Sequence, residues 1–124
     1  MLNIRSEITR MNFKETPEFQ KNLKRLRRKY PSLDEDLMEF KKVISLFPTG
    51  RGKHFAVLMA RKGINIVKAR LFCRYLKGSS LRIVYAFQET LDEVEFIEIY
   101  SKNEQETENR DLIKEYLRAR SDKT

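Results

Sequence analysis

Three cations at alternating positions carry the first chemical signal in this sequence: Lys68 and Arg70 in the run Ile64 to Arg74, and Arg82 in the run Leu81 to Phe87. Both runs are rich in β-branched and apolar residues with period two, so residues two apart share a face. Val67, Ala69, Leu71 and Cys73 form a uniformly apolar set expected to face a core, which leaves Lys68, Arg70 and Arg74 opposite with Ile66 and Phe72. In the next run Leu81, Ile83, Tyr85 and Phe87 are expected inward, and Arg82 stands opposite with Val84 and Ala86. In a third run, Val94 to Lys102, Ile97 and Ile99 are expected inward, so Glu98, Tyr100 and Lys102 project outward beside Phe96. Strands paired in chain order then gather Lys68, Arg70, Arg82, Glu98, Tyr100 and Lys102 on one face. Cross-strand Arg–Glu pairs are ordinary on sheets and contribute only about 0.2–1 kcal/mol, so neutralisation of a neighbour is the plain reading of Glu98. Four or five cations around one carboxylate and one phenol still leave positive charge over, and such a face suits an anion.

The excess extends beyond that face. The 124-residue chain has a formal net charge of +8, and it is uneven: residues 1–88 carry +13 and residues 89–124 carry −5. From Phe40 to Gln88 there are eleven basic residues and no acidic one. A second cluster, Lys21, Lys24, Arg25, Arg27, Arg28 and Lys29, places six cations in nine positions. This asymmetry points to a polyanionic partner and says nothing about fold. One cysteine (Cys73) and one histidine (His54) exclude an internal disulfide and leave too few donors for a metal site built from Cys or His. No stretch approaches the roughly 18 apolar residues of a membrane span, and Met1 to Arg10 shows no signal-peptide apolar run. A single soluble cytoplasmic domain is expected, with residues 1–10 as an N-terminal extension.

The elements that must position these residues are legible from capping and period. Thr16-Pro17 reads as a helix start, and Phe19, Leu23, Leu26 and Tyr30 recur on one face until Tyr30-Pro31. Ser32 with Glu35 reads as a capping box, followed by Leu33, Leu37, Phe40, Ile44 and Phe47, and Pro48-Thr49-Gly50 ends that second helix. Asn12 to Glu15 and Phe55 to Ala60 are candidate additional strands, and Glu108 to Arg118 has helical spacing. Short polar connections at Lys77-Gly78-Ser79-Ser80 and Glu89 to Glu93 imply antiparallel neighbours. The expected class is α+β: an antiparallel sheet of three to four strands against an N-terminal helix hairpin and a C-terminal helix, the helices lying against one face. Gly50-Arg51-Gly52-Lys53 does not complete a phosphate loop, because His54 follows Lys53 and Phe47 stands at the first glycine position. His54 has two readings, surface loop residue or proton donor; Phe72 and Phe96 likewise, edge or core packing against base stacking.

The chain resembles the RelE/ParE superfamily of type II toxin–antitoxin toxins, in particular its RelE-like branch. The resemblance spans about residues 11–118 and runs through Phe13 to Phe19, Lys24-Arg25-Leu26 and Tyr30-Pro31-Ser32-Leu33. It is strongest in Lys68-Ala69-Arg70, Leu81-Arg82-Ile83-Val84-Tyr85 and Phe96-Ile97-Glu98-Ile99-Tyr100-Ser101-Lys102. It implies an mRNA interferase that cuts mRNA on the ribosome by attack of the RNA 2′-hydroxyl, with no cofactor and no metal. Lys68 and Arg70 match the family's basic pair and Arg82 its phosphate-binding arginine. Lys68 or Glu98 is then the base and Tyr100 or Lys102 the acid, with the Lys21 to Lys29 cluster and Arg74 on ribosomal or messenger RNA. Asn103 stands where nuclease members often carry a basic residue, and Glu104 to Asp111 lacks the tyrosine or histidine found there. The implied partners are an antitoxin, mRNA and the ribosome; a ParE-like inhibitor of DNA gyrase and a plain RNA-binding module are the alternatives.

Overall fold

A computed structural model describes residues 11–74 and 80–121. The expected N-terminal extension and the connection at Lys77 to Ser79 lie outside the described residues. The chain runs β1 (Asn12–Glu15), α1 (Pro17–Lys29), α2 (Leu33–Leu46), β2 (Phe55–Arg61), β3 (Ile64–Phe72), β4 (Ser80–Gln88), β5 (Glu93–Ser101) and α3 (Arg110–Ser121). The strands form one five-stranded sheet in the order β1-β5-β4-β3-β2. The β2–β3, β3–β4 and β4–β5 pairs are antiparallel and follow chain order, whereas β1 lies parallel to β5 at the far edge. The α+β class is as expected, with both candidate strands formed.

The start of α1 follows from Thr16, whose Oγ1 accepts a hydrogen bond from the Phe19 N–H at 3.2 Å, with Pro17 in the first helical position. The expected capping box of α2 does not form. Ser32 donates instead to the buried Asp36 carboxylate at 2.6 Å, and Glu35 reaches the Arg74 guanidinium at 3.4 Å. The reason is local: Ser32 has φ −87° and ψ 1°, not the extended backbone of an N-cap, so its side chain turns toward Asp36.

Two apolar layers fill the two faces of the sheet, and here the structure departs from the expectation of helices on one face. Phe19, Leu23 and Leu26 of α1 and Leu33, Leu37, Phe40 and Ile44 of α2 pack on Val67, Ala69, Leu71, Ile83, Tyr85 and Phe96. On the opposite face Ile113, Tyr116 and Leu117 of α3 cover Ile66, Val84, Ala86 and Ile97. The supposedly open face therefore carries its own apolar half, which needs a cover just as the inner face does. Tyr116 and Arg120 both reach the Glu95 carboxylate of β5, fastening the end of α3 to the sheet. The sheet is thus sandwiched, and only the part beyond α3 is left for cations.

A bulge in β5 corrects a second expectation. Val84 pairs with Glu98 but Tyr85 pairs with Phe96, so Ile97 is an extra residue without a partner on β4. Phe96 consequently faces the hairpin, fully buried, with rings of Phe13, Phe19, Phe40 and Tyr85 within 6.5 Å. Ile97 turns the other way, under α3. Strict alternation put both on the wrong side, because a bulge adds one residue to the period.

The connection from α2 to β2 is held by Tyr85, whose buried hydroxyl donates to the Pro48 carbonyl at 2.7 Å. Gly50 follows with φ +81°, and a Cβ placed there would sit inside the Phe55 ring. Gly52 has the same φ of +81°, but a Cβ there meets nothing within 4 Å. Gly52→Ala should cost about 1 kcal/mol, the backbone strain alone, and Gly50→Ala about 3 kcal/mol because Phe55 must also leave its stack on Phe40. Urea unfolding of the two variants checks this; equal losses would show that Phe55 does not constrain the loop.

Candidate nucleic-acid interface

Pairing across β3, β4 and β5 sets the cationic residues in rows. Arg70 lies opposite Arg82, and Arg82 opposite Tyr100. One row along, Lys68 lies opposite Val84, and Val84 opposite Glu98. His54 extends the first row at the β2 end, its carbonyl accepting from the Arg70 N–H at 3.0 Å. The expected gathering of Lys68, Arg70, Arg82, Glu98 and Tyr100 is therefore what the sheet builds.

Arg70 and Arg82 are cations directly opposite each other on adjacent strands, an arrangement that costs stability. The Arg82 guanidinium is held less firmly protonated than usual, first by burial and then by repulsion from Arg70, with Tyr100 acting in the opposite sense. A sheet selected for stability alone would put a carboxylate at one of these positions. Beside them Tyr100 is only 2% exposed, and its hydroxyl has no hydrogen-bond partner among the described residues. Burial, and then the Glu98 and Glu108 carboxylates, push its phenol up to about 12, so it is a proton-bearing donor near neutral pH.

The two carboxylates of the site are both engaged. Glu98 is buried, and its oxygens accept from the Asn109 N–H at 3.0 Å and from Gln105 Nε2 at 2.7 Å. Asn109 in turn caps α3, its Oδ1 accepting from the Leu112 N–H at 3.1 Å. Glu98 thus holds the N-terminal end of α3, where a carboxylate also meets the positive end of the helix dipole. Glu108, which no reading of the sequence singled out, reaches back from the segment before α3 to accept from Lys68 Nζ at 2.7 Å. Thr107 Oγ1 donates to the same oxygen at 2.9 Å. The Lys68 hydrogen bond, outweighing burial, holds the Glu108 carboxyl down at about 2.

The remaining expected residues fall elsewhere. Lys102 is not on a strand; it is exposed in the turn after β5, two positions past Tyr100. Arg74, expected on the strand, is exposed in the turn after β3 and directed to the start of α2, with Glu35 at 3.4 Å and Asp36 at 3.7 Å. Lys21, Lys24, Arg25, Arg27, Arg28 and Lys29 all lie exposed on α1, on the hairpin side of the sheet. Arg25 pairs with Glu104 at 2.7 Å, which brings this basic helix to the same end of the molecule as Lys102. Cys73 is buried, its thiol pushed up to about 11 by burial and Asp36, and takes no part. Among the described residues no His, Cys, Asp and Glu group is placed to hold a metal ion, and no helix is long and apolar enough to cross a membrane.

No protein-family model and no curated protein sequence matches this chain. A solved structure does: the archaeal RelE–RelB complex from Pyrococcus horikoshii OT3, with a TM-score of 0.59 and 16% identity over 75% of this chain and 96% of the matched one. The chain therefore has the RelE-like fold that the sequence resemblance implied.

The Lys68–Glu108 pair gives the site a pH signature. A carboxyl lowered from 4.5 to about 2 on folding stabilises the fold fully above pH 4.5, and this contribution is lost as pH falls through 2. Lys68→Met should destabilise the protein by roughly 1–3 kcal/mol at neutral pH, less than a fully buried pair would because Lys68 is a quarter exposed. It should also move the Glu108 titration upward. Carboxyl carbon NMR of both proteins measures this, and an unmoved titration would show that Lys68 is not what holds Glu108 ionised.

Proposed function

We propose that this chain is the toxin of a type II toxin–antitoxin pair and an endoribonuclease that cuts mRNA on the ribosome. The observation that carries the reading is the Arg70–Arg82 pair on a RelE-like fold, set beside a Tyr100 hydroxyl that has no hydrogen-bond partner among the described residues. Adjacent arginines are poor for a sheet and good for a phosphodiester whose oxygens gain charge in the transition state.

The chemistry follows from these groups. The RNA 2′-hydroxyl attacks the neighbouring phosphorus, and the bond from phosphorus to the 5′-oxygen breaks, leaving a 2′,3′-cyclic phosphate and a 5′-hydroxyl. Arg82 and Arg70 neutralise the charge building on the non-bridging oxygens, where a guanidinium can engage two oxygens at once. Tyr100, protonated at working pH, donates to the departing 5′-oxygen once the side chains that cover its hydroxyl give way to the bound RNA. Glu98 is a poor candidate for the base, since its oxygens are taken by the start of α3. Glu108, held at about 2, is a weak one. The 2′-hydroxyl proton therefore passes to water, and water returns a proton to Tyr100 once the 5′-hydroxyl has left. Charge stabilisation and leaving-group protonation carry more of the rate than proton abstraction, and Lys68 adds to the positive field while anchored by Glu108. The exposed cations of α1, with Lys102, supply ribosomal RNA phosphate contacts, and the antitoxin covers the same basic surfaces.

Mapping of mRNA ends after induced expression should show cuts in the wild type. Arg82→Ala should lower cleavage by about 100- to 1,000-fold, and Tyr100→Phe by about 100-fold without loss of fold. Growth arrest with uncut mRNA and blocked DNA supercoiling would replace this reading with a gyrase inhibitor. Salt-sensitive RNA binding without toxicity would leave an RNA-binding module.

A further inference from the structure

Phe72 is the most exposed aromatic residue among those described. It is 55% exposed and belongs to neither apolar layer. Alternation along β3 puts it on the Arg70 side, two residues on and hence about 7 Å along the strand. Its ring is not loose: His54 packs edge-on against it, centroids 5.0 Å apart and planes at 85°. His54 is itself tied to Arg70 through its carbonyl. Phe72, His54 and Arg70 border a groove of about 250 Å³ at the edge of β3 past its last pairing with β2, whose far side, on α2, carries Asp36 and Glu39.

We propose that Phe72 is the floor of a nucleobase-stacking subsite, taking a base of single-stranded RNA adjacent to the phosphate at Arg70 and Arg82. This inference rests on the proposed function for its phosphate and adds the base. The electrostatics select base over phosphate in the groove. Arginines lie at the sheet end and carboxylates on the helix side, so the phosphate stays by the arginines and a neutral aromatic ring is what fits beyond them. Arg70 and Phe72 stand about 7 Å apart along β3, near enough for one nucleotide to lie across both. Stacking needs an exposed aromatic face with a supported ring, and the edge-on His54 supplies that support without covering both faces of Phe72.

The chain contains no tryptophan, so Phe72→Trp adds a single fluorophore at the subsite. A labelled RNA hexanucleotide and an abasic ribose-phosphate oligomer of equal length are the probes, with binding followed by anisotropy. The RNA should quench the indole emission of the Phe72→Trp variant, and the abasic oligomer should bind without quenching. Phe72→Ala should weaken RNA binding about tenfold and leave the abasic oligomer unchanged, whereas Arg82→Ala should weaken both. Equal quenching by the two probes, unchanged emission with RNA bound, or no RNA binding at all would overturn the subsite. Emission that responds to a protein partner and to no RNA assigns the ring to protein docking and overturns it too. Quenching by RNA together with uncut mRNA in cells would instead sink the nuclease reading alone.

Discussion

The bulge at Ile97 is the constraint on which the rest of the structure depends. One extra residue in β5 lets Phe96 face the hairpin while Ile97 and Glu98 both face α3. Phe96 then sits among the rings of the main core, and Ile97 gives α3 an apolar seat. Glu98 gives that helix its N-terminal anchor. The bulge is itself braced, since Thr16 donates to the Ile97 carbonyl at 3.3 Å while capping α1 with the same oxygen. A single hydroxyl therefore couples the start of the first helix to the strand irregularity that positions the last one.

The placement of α3 divides the outer face of the sheet into two environments. Its apolar half is dry, and there Ile66, Val84 and Ala86 are fully buried. The other half is left to Lys68, Arg70, Arg82 and Tyr100, partly desolvated because α3 and its preceding segment stand beside them. Burial is what raises the Tyr100 phenol and loosens the proton on Arg82. The same low-dielectric setting makes a cation facing a phosphate worth more than on an open strand. Glu108 and Glu98 keep the site from being uniformly positive, and each is fixed by hydrogen bonds, so neither is free to swing onto an arginine and cancel it.

Much of this was legible in the residues. Period two assigned Lys68, Arg70 and Arg82 to one face because β3 and β4 are regular along their whole pairing, and Tyr100 because the β5 bulge comes before Glu98. Thr16-Pro17 announced α1, since that cap depends only on its neighbours. Ser32-Glu35 announced a capping box that does not exist, because the buried Asp36 offers Ser32 a stronger, charged acceptor. Phe96 and Ile97 were misplaced by the bulge, and Lys102 by a strand that ends one residue sooner at Ser101. Glu108 gave no local sign, as its partner Lys68 is 40 positions away.

The sequence by itself determined the strands, the two basic clusters and the identity of the cations on the outer face, because alternation and charge are local properties of the chain. Only the tertiary structure decided which of those residues share a site with a carboxylate, which carboxylates are already engaged, and which ring is left uncovered. Those outcomes turn on a one-residue insertion in β5 and on where α3 comes to rest, and both are set by long-range packing. The excess of positive charge was therefore evident from composition, while its focus at Arg70, Arg82 and Tyr100 came from pairing three strands and covering half of their outer face.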